Sequence, residues 1–154
     1  MMRSSTCDEL KKIGADFVRT LTQGVRARVV ALSGDLGSGK TNFAQGVAEA
    51  LGVTETVASP TFVIEKIYPL PMMDLRNPSF SRLVHIDAYR LESPAELEKL
   101  GWHELVRDPR NLILIEWPEK VANLLPEDAI QVRFDIDGDG RIISLHGSEE
   151  KSNS

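Results

Sequence analysis

The residues with the clearest chemical meaning lie in a glycine-rich stretch, Gly34–Thr41, whose sequence is GDLGSGKT. It matches G-x-x-x-x-G-K-[ST], the phosphate-binding P-loop. Glycines let the backbone curl until successive N–H groups point at one anion. Lys40 would reach the β- and γ-phosphates of a nucleotide, and the Thr41 hydroxyl would ligate Mg²⁺. A turn that binds nothing has no use for lysine and threonine at this spacing, and without an anion the Lys40 charge would lack a partner.

Two acidic residues come directly after apolar runs that read as strands. Asp87 follows Arg82–Ile86, and Glu116 follows Asn111–Ile115. A carboxylate at the carboxyl end of a strand beside a P-loop is where the second group of a magnesium site belongs. A turn cap is the alternative for Asp87, and an exposed strand-end acid is the alternative for Glu116. Because the run before Glu116 is uniformly aliphatic, we expect a central parallel strand there, with Glu116 nearer the metal than Asp87.

Two further polar residues have weaker signals. Thr61, in the sequence SPTF, follows a proline that holds the preceding residue extended, so it stands in a loop that enters a strand. It could sense a γ-phosphate as switch-loop threonines do, although a plain turn with a strand-edge threonine is the simpler interpretation. His85 occupies an alternating strand position and is expected to be a packed residue rather than a ligand.

Hydrophobic spacing predicts the elements that must hold these residues. A first helix begins after Thr6 or Ser5 and runs to about Leu21. The strand Arg28–Leu32 leads into the P-loop, and the helix Thr41–Leu51 leads out of it. The rest of the chain predicts a strand over Phe62–Tyr68, an exposed loop over Pro69–Ser81, short helices over Ser93–Gly101 and Trp102–Val106, and a hairpin of Ala129–Asp135 with Arg141–His146.

Composition narrows the classes of protein. The chain has 154 residues, a net charge of −5 and one cysteine, Cys7, so neither an internal disulfide nor a cysteine zinc cluster can form. No apolar run approaches the roughly 18 residues of a membrane span. We expect a cytoplasmic protein with one domain over residues 1–146 and a disordered tail over 147–154. The expected fold is α/β and P-loop NTPase-like: a mostly parallel central sheet flanked by helices, with a C-terminal β-hairpin.

Four segments together closely resemble the TsaE (YjeE) family, bacterial ATPases of tRNA threonylcarbamoyladenosine biosynthesis. They are the P-loop Gly34–Thr41, SPTF at Ser59–Phe62, HIDAYRL at His85–Leu91 and EWPE at Glu116–Glu119. The resemblance covers nearly the whole chain. It implies a small P-loop fold that binds Mg²⁺ and ATP and hydrolyses ATP weakly. It also implies work with TsaD and TsaB, which install a threonylcarbamoyl group on adenosine 37 of tRNAs reading ANN codons, so that tRNA is met only through the complex.

The resemblance also assigns roles to residues. Thr41 and Glu116 would hold Mg²⁺, Asp87 would belong to the catalytic site, and Thr61 would belong to a switch-like loop. Trp117 would lie close to the nucleotide, with the Ser5–Cys7 segment and the Gly140–Arg141 turn as further contacts. The residues that would wrap the phosphates are Leu36, Gly37, Ser38, Gly39, Lys40 and Thr41.

Some features depart from the family or leave the mechanism open. Family members often carry Thr or Ser after the magnesium threonine, whereas this chain has Asn42, whose amide can still donate to the α-phosphate. The Pro69–Ser81 loop looks longer than usual. No arginine finger is obvious, although Arg90 is a candidate. Alternatives to a working ATPase are a nucleotide-gated assembly module and a small-molecule kinase, but the Leu91–Asp108 segment offers only Arg107 for an arginine-rich lid.

Overall fold

A computed structural model of the protein describes residues 1–55, 57, 65–71 and 80–147. The strands it contains are β1 (Met2–Ser4), β2 (Arg28–Ser33), β3 (Glu65–Pro69), β4 (Arg82–Asp87), β5 (Asn111–Glu116), β6 (Ile130–Asp137) and β7 (Gly140–His146). The helices are α1 (Cys7–Arg19), α2 (Lys40–Ala50), α3 (Pro94–Lys99) and α4 (Trp102–Arg107), and a 3₁₀ segment covers Pro118–Leu124. No helix in these ranges is long and apolar enough to cross a membrane.

Within the described residues, seven strands form one sheet in the order β1-β7-β6-β2-β5-β4-β3. The four central strands, β6, β2, β5 and β4, are parallel, and the pairs at both edges are antiparallel. Every residue of β5 is buried, as its aliphatic sequence predicts for a central parallel strand. The expected mostly parallel sheet with a C-terminal hairpin, formed by β6 and β7, is therefore confirmed.

Alternation along the strands divides the core between the two faces of the sheet. On β2, Val30 and Leu32 pack in one cluster with residues of α1 and α2, such as Phe17 and Phe43. The intervening Val29 and Ala31 join a second cluster with Leu97 of α3 and Trp102 of α4. Because successive strand side chains point to opposite faces, the two helix pairs lie on opposite sides of the sheet.

The predicted and observed elements differ mainly in the residues at which they begin and end. Thr6 caps α1, since its side-chain oxygen accepts a hydrogen bond from the Glu9 N–H at 3.1 Å, but the helix ends at Arg19 rather than near Leu21. The expected loop from Pro69 starts one residue too early, because Pro69 ends β3, an edge strand where a missing N–H is tolerated. Parts of three predicted segments lie outside the described residues: 62–64 of the strand, 72–79 of the loop and 148–154 of the tail.

The sequence did not predict strand β1. Its three residues, Met2–Ser4, pair antiparallel with Arg141–Ile143 of β7 at the edge of the sheet. A strand this short carries no periodicity that could be recognised in the sequence. The pairing brings the start of the chain beside the C-terminal hairpin, and α1 follows immediately.

Helices α1 and α2 approach each other backbone to backbone. A Cβ added at Gly14 would lie 2.2 Å from the Phe43 carbonyl oxygen, and one added at Gly46 would lie 1.9 Å from the Lys11 carbonyl oxygen. Real Cβ atoms do not come this close to backbone atoms, so each helix carries a glycine where the other passes. This packing sets the position of α2, the helix that leaves the P-loop.

We expect Gly46→Ala to destabilise the protein by about 2 kcal/mol or more, because the added methyl group overpacks a contact between two backbones. The gain in helix propensity, about 1 kcal/mol, offsets this only in part. Gly24→Ala is the control, since the nearest atom to its Cβ would be 3.8 Å away. Chemical denaturation of both variants checks the prediction, which is contradicted if Gly46→Ala is as stable as Gly24→Ala.

Candidate nucleotide-binding site

The P-loop joins the end of β2 to the start of α2, as the sequence predicts. Gly37 and Gly39 have φ angles of +80° and +106°, which residues with a side chain rarely adopt. Gly39 is the residue that precedes α2, and no side chain caps this end of the helix. The first N–H groups of α2 are therefore available to an anion, which the helix dipole also favours.

The space around the loop differs between its base and its apex. A Cβ added at Gly39 would lie 2.7 Å from Leu10 Cδ1, so this residue is wedged against α1. At Gly37 no atom would lie within 4 Å, and the neighbouring Leu36 is 73% exposed. The loop is thus anchored at its base and open at its apex.

Ser38 is the polar residue of the loop that the protein itself leaves unsatisfied. It is 1% exposed, and its Oγ has no hydrogen-bond partner. A buried hydroxyl without a partner costs about 1–3 kcal/mol, so such groups usually serve a ligand or an ordered water. A phosphate oxygen would satisfy this hydroxyl, which is why the loop fits the group that its sequence predicts.

Lys40 is buried at the start of α2, with 5% of its surface exposed. Its Nζ donates a hydrogen bond to the Gly34 carbonyl oxygen at 2.6 Å and lies 4.1 Å from the centroid of the Trp117 ring. The expectation that its charge lacks a partner without an anion is therefore wrong. A backbone carbonyl and the face of an indole, both electron-rich, hold the ammonium group next to the loop.

Trp117 has an unusual backbone conformation. Its φ and ψ angles are +57° and +51°, and it is the one non-glycine residue with positive φ in the described part of the chain. Its ring also contacts Tyr89, with the centroids 5.0 Å apart. Holding a non-glycine residue in this left-handed conformation costs about 1–3 kcal/mol of folding free energy, and such residues cluster at functional sites. The turn after Glu116 thus places an indole against the P-loop lysine.

We expect nucleotide binding to change the fluorescence of Trp117, because Lys40 must exchange the indole face for phosphate oxygens. The other tryptophan, Trp102, is buried and donates its ring N–H to the Leu124 carbonyl oxygen, so its emission should stay constant. Titration of ATP into wild type and Trp117→Phe checks this. A signal of equal size in the Trp117→Phe variant would contradict the prediction.

Glu116 ends β5 and is 3% exposed, so the alternative of an exposed strand-end acid is wrong. Its Oε2 lies 2.7 Å from Nε2 of His85, which is fully buried in β4, as expected of a packed residue. The parallel register pairs Glu116 with Leu32 of β2, two residues before the loop begins at Gly34. The strand that carries Glu116 is therefore the direct neighbour of the strand that carries the P-loop.

Asp87 ends β4, one strand further from the P-loop, and its register partner is Glu116. Its Oδ1 accepts a hydrogen bond from the Tyr89 N–H at 3.0 Å. One carboxylate oxygen of Asp87 therefore caps the turn, which was the alternative role for this residue. The catalytic role of Asp87 stays a prediction, as does that of Thr61, which lies outside the described residues.

Two distant parts of the chain meet the loop. Arg141 of β7 donates from Nε to the Gly37 carbonyl oxygen at 3.0 Å. Asn42 donates from Nδ2 to Cys7 Sγ at 3.4 Å, so its amide serves α1 in this structure. Both segments that the family resemblance brings to the nucleotide therefore lie against the P-loop or α2, although contact with a nucleotide stays a prediction.

The donors near the loop suit magnesium bound together with a nucleotide. Nowhere in the described ranges do three or more His, Cys, Asp or Glu side chains form a group that could hold a metal ion. Mg²⁺ seldom needs such a group, since it is usually held by one or two protein oxygens, phosphate oxygens and water. The Thr41 hydroxyl, at the start of α2, and the Glu116 carboxylate would be the protein ligands.

A neighbouring cavity of about 260 Å³ is not suited to phosphate. Gly34 lines it together with three carboxylates, those of Asp35, Glu119 and Asp135. Arg133, which also lines it, is paired with Asp135 at 3.2 Å. Because the excess of carboxylates repels an anion, the cavity does not compete with Gly37–Thr41 as the predicted position of the phosphates.

The chain is similar in sequence and in fold to known proteins. The family model described as "Threonylcarbamoyl adenosine biosynthesis protein TsaE" matches residues 4–143. The protein named "tRNA threonylcarbamoyladenosine biosynthesis protein TsaE" is 39% identical in Borreliella burgdorferi, over 78% of this chain and 82% of that protein. The protein of the same name in Rickettsia prowazekii is 34% identical, over 88% and 90%. The crystal structure of Bacillus subtilis YdiB superposes with a TM-score of 0.76 at 27% identity, covering 99% of this chain and 87% of that one.

Proposed function

Because the chain belongs to the TsaE family, we propose that it is the ATP-binding and ATP-hydrolysing component of tRNA threonylcarbamoyladenosine biosynthesis. The observation that carries the proposal is the placement of the buried Glu116 carboxylate on the strand next to the P-loop. A carboxylate there, with a lysine and a threonine at the start of α2, is the arrangement of an NTPase that works with magnesium.

The proposed reaction is phosphoryl transfer from ATP to water. The loop N–H groups and Lys40 would hold the β- and γ-phosphates and offset the charge that develops on them. Bound Mg²⁺, with Thr41 and Glu116 as ligands, would neutralise further negative charge on the same oxygens. In this structure Lys40 Nζ lies 2.6 Å from the Gly34 carbonyl oxygen and 4.1 Å from the centroid of the Trp117 ring, and phosphate oxygens would replace one or both of these contacts.

The proposal includes TsaD and TsaB as partners and a cytoplasmic location. An NTPase without its own arginine finger is slow until a partner completes the site. A net charge of −5 offers few contacts to RNA phosphates, so tRNA would be reached through the complex rather than bound directly. Association with TsaD and TsaB would then raise a slow intrinsic rate.

The test measures ATP hydrolysis and tRNA modification with the protein alone, with TsaD and TsaB, and with Lys40→Ala in the same mixtures. We expect slow hydrolysis alone, faster hydrolysis with both partners, and no modified tRNA with the variant. Modification that proceeds when ATP is replaced by a non-hydrolysable analogue would favour the nucleotide-gated assembly module. Hydrolysis that is independent of Lys40 would contradict the proposal.

The kinase alternative finds no support in the described residues. Its lid would have to come from Leu91–Asp108, which forms α3 and α4. Leu97 and Trp102 from these helices are buried in the core on the face of the sheet opposite α2. Side chains buried in this way anchor the segment to the sheet, whereas a lid has to move.

A further inference from the structure

The buried pair of His85 and Glu116 has a consequence for the metal site. Both side chains are almost fully inaccessible, and their Nε2 and Oε2 atoms are 2.7 Å apart. Burying a carboxylate is costly unless it accepts hydrogen bonds, and His85 supplies one. A packing role for His85 alone would need no polar atom at this place.

Strand geometry brings the two residues together on the side of the sheet where the P-loop helix lies. His85 alternates with Leu83 on β4, and Glu116 alternates with Leu114 on β5. Both leucines pack in the cluster that contains Phe43 of α2. His85 therefore reaches Glu116 across neighbouring strands, from the side of β5 that faces away from β2.

The proposed metal role defines the direction of the hydrogen bond. A carboxylate that binds Mg²⁺ is ionised and only accepts, so the hydrogen would lie on Nε2 of His85 and be donated to Oε2 of Glu116. The other ring nitrogen, Nδ1, is buried without a partner. With Oε2 held in this way, Oε1 of the same carboxylate is the oxygen left to serve a metal ion.

We propose that His85 is a positioning residue for the metal site: its hydrogen bond to Oε2 fixes the Glu116 carboxylate so that Oε1 can bind Mg²⁺ together with the nucleotide. The inference rests on the proposed function, in which Glu116 is a magnesium ligand. Carboxylates that ligate metals are commonly held by such partners, and losing one typically lowers metal affinity by 10- to 100-fold. A fixed carboxylate also loses less conformational freedom when the metal binds.

His85→Gln and His85→Met form a matched pair for the test. The two new side chains have similar length, but Gln can donate a hydrogen bond to Oε2 and Met cannot. The measurement is Mn²⁺ affinity, by electron paramagnetic resonance, of protein loaded with a non-hydrolysable ATP analogue. We expect about tenfold weaker Mn²⁺ binding for His85→Met and near wild-type binding for His85→Gln. Affinity for the analogue in EDTA should not differ between the two variants.

The outcomes separate this inference from the function on which it rests. Equal Mn²⁺ affinities in the two variants, with normal binding by wild type, would overturn the positioning role alone. Wild-type protein that binds the analogue but gains no Mn²⁺ affinity from it would overturn both the magnesium role of Glu116 and this inference.

If His85→Met does not fold, the wild-type protein still provides a test. The ¹⁵N resonances of the His85 imidazole, assigned by their loss in His85→Gln, should show hydrogen on Nε2 and should shift when Mg²⁺ joins the bound analogue. Resonances that show hydrogen on Nδ1, or that do not respond to Mg²⁺, would overturn the proposal.

Discussion

Lys40→Ala is expected to lower ATP turnover by about a hundredfold or more, because the variant loses the one side-chain cation of the P-loop. The same change should weaken nucleotide binding, since loop N–H groups alone remain to hold the phosphates. The variant should fold but be less stable than wild type. It loses a hydrogen bond to the Gly34 carbonyl, worth about 1 kcal/mol, and a contact with the Trp117 ring of similar size.

Lys11→Ala is the control for this experiment. Its Nζ lies 3.8 Å from Glu49 at the far end of α2, so it removes a lysine from the same pair of helices without touching the loop. Turnover by this control should match wild type. Both proteins are compared by circular dichroism, thermal melting and ATP hydrolysis. Normal hydrolysis by folded Lys40→Ala protein would contradict the assignment of Gly34–Thr41 as a functional P-loop.

Glu116→Gln is expected to raise the Mg²⁺ concentration needed for half-maximal turnover by about a hundredfold. The loss of a direct ligand should exceed the roughly tenfold effect of losing a hydrogen-bond partner of a ligand. Gln keeps the size of the buried side chain, so the packing next to His85 is preserved. ATP should still bind, because Lys40 and the loop N–H groups are unchanged.

Asp87→Asn is the comparison for Glu116→Gln. Asp87 stands one strand further from the P-loop, and one of its oxygens already accepts the Tyr89 N–H. We therefore expect lower maximal turnover, through a disturbed water or coordination shell, with a smaller change in magnesium dependence. Magnesium titrations of ATP hydrolysis for both variants decide between the residues. A strong shift for Asp87→Asn with a normal profile for Glu116→Gln would reverse the assignment.

Several parts of the site follow from the sequence because their signals are local. The P-loop is one continuous segment, and its glycines have the positive φ angles that a tightly curled loop requires. The run Asn111–Ile115, in which four aliphatic residues follow Asn111, predicted a strand buried on both faces, and all of β5 is buried. The hairpin of β6 and β7 follows from two alternating strands around a short turn. In each case the pattern and the structure that it specifies involve the same residues.

Contacts between distant residues were decided only by the tertiary structure. Periodicity shows which face of a strand is buried, but it does not show which strand lies beside it. The strand order was needed to place Glu116 beside the P-loop strand and to bring His85, 31 residues away, to its carboxylate. The contact of Arg141 with Gly37 spans 104 residues and depends on the pairing of β7 with its neighbours.

The surroundings of Lys40 show most directly that local sequence does not reveal contacts between distant residues. Its type and spacing predict that it binds phosphate. Nothing in those features reveals that the Gly34 carbonyl and the Trp117 ring contact its ammonium group. The Trp117 contact exists because β5 lies beside β2 and because the chain turns through a left-handed conformation after Glu116. The role predicted for the lysine thus follows from local sequence, whereas the groups that it contacts are set by which strands the sheet places side by side.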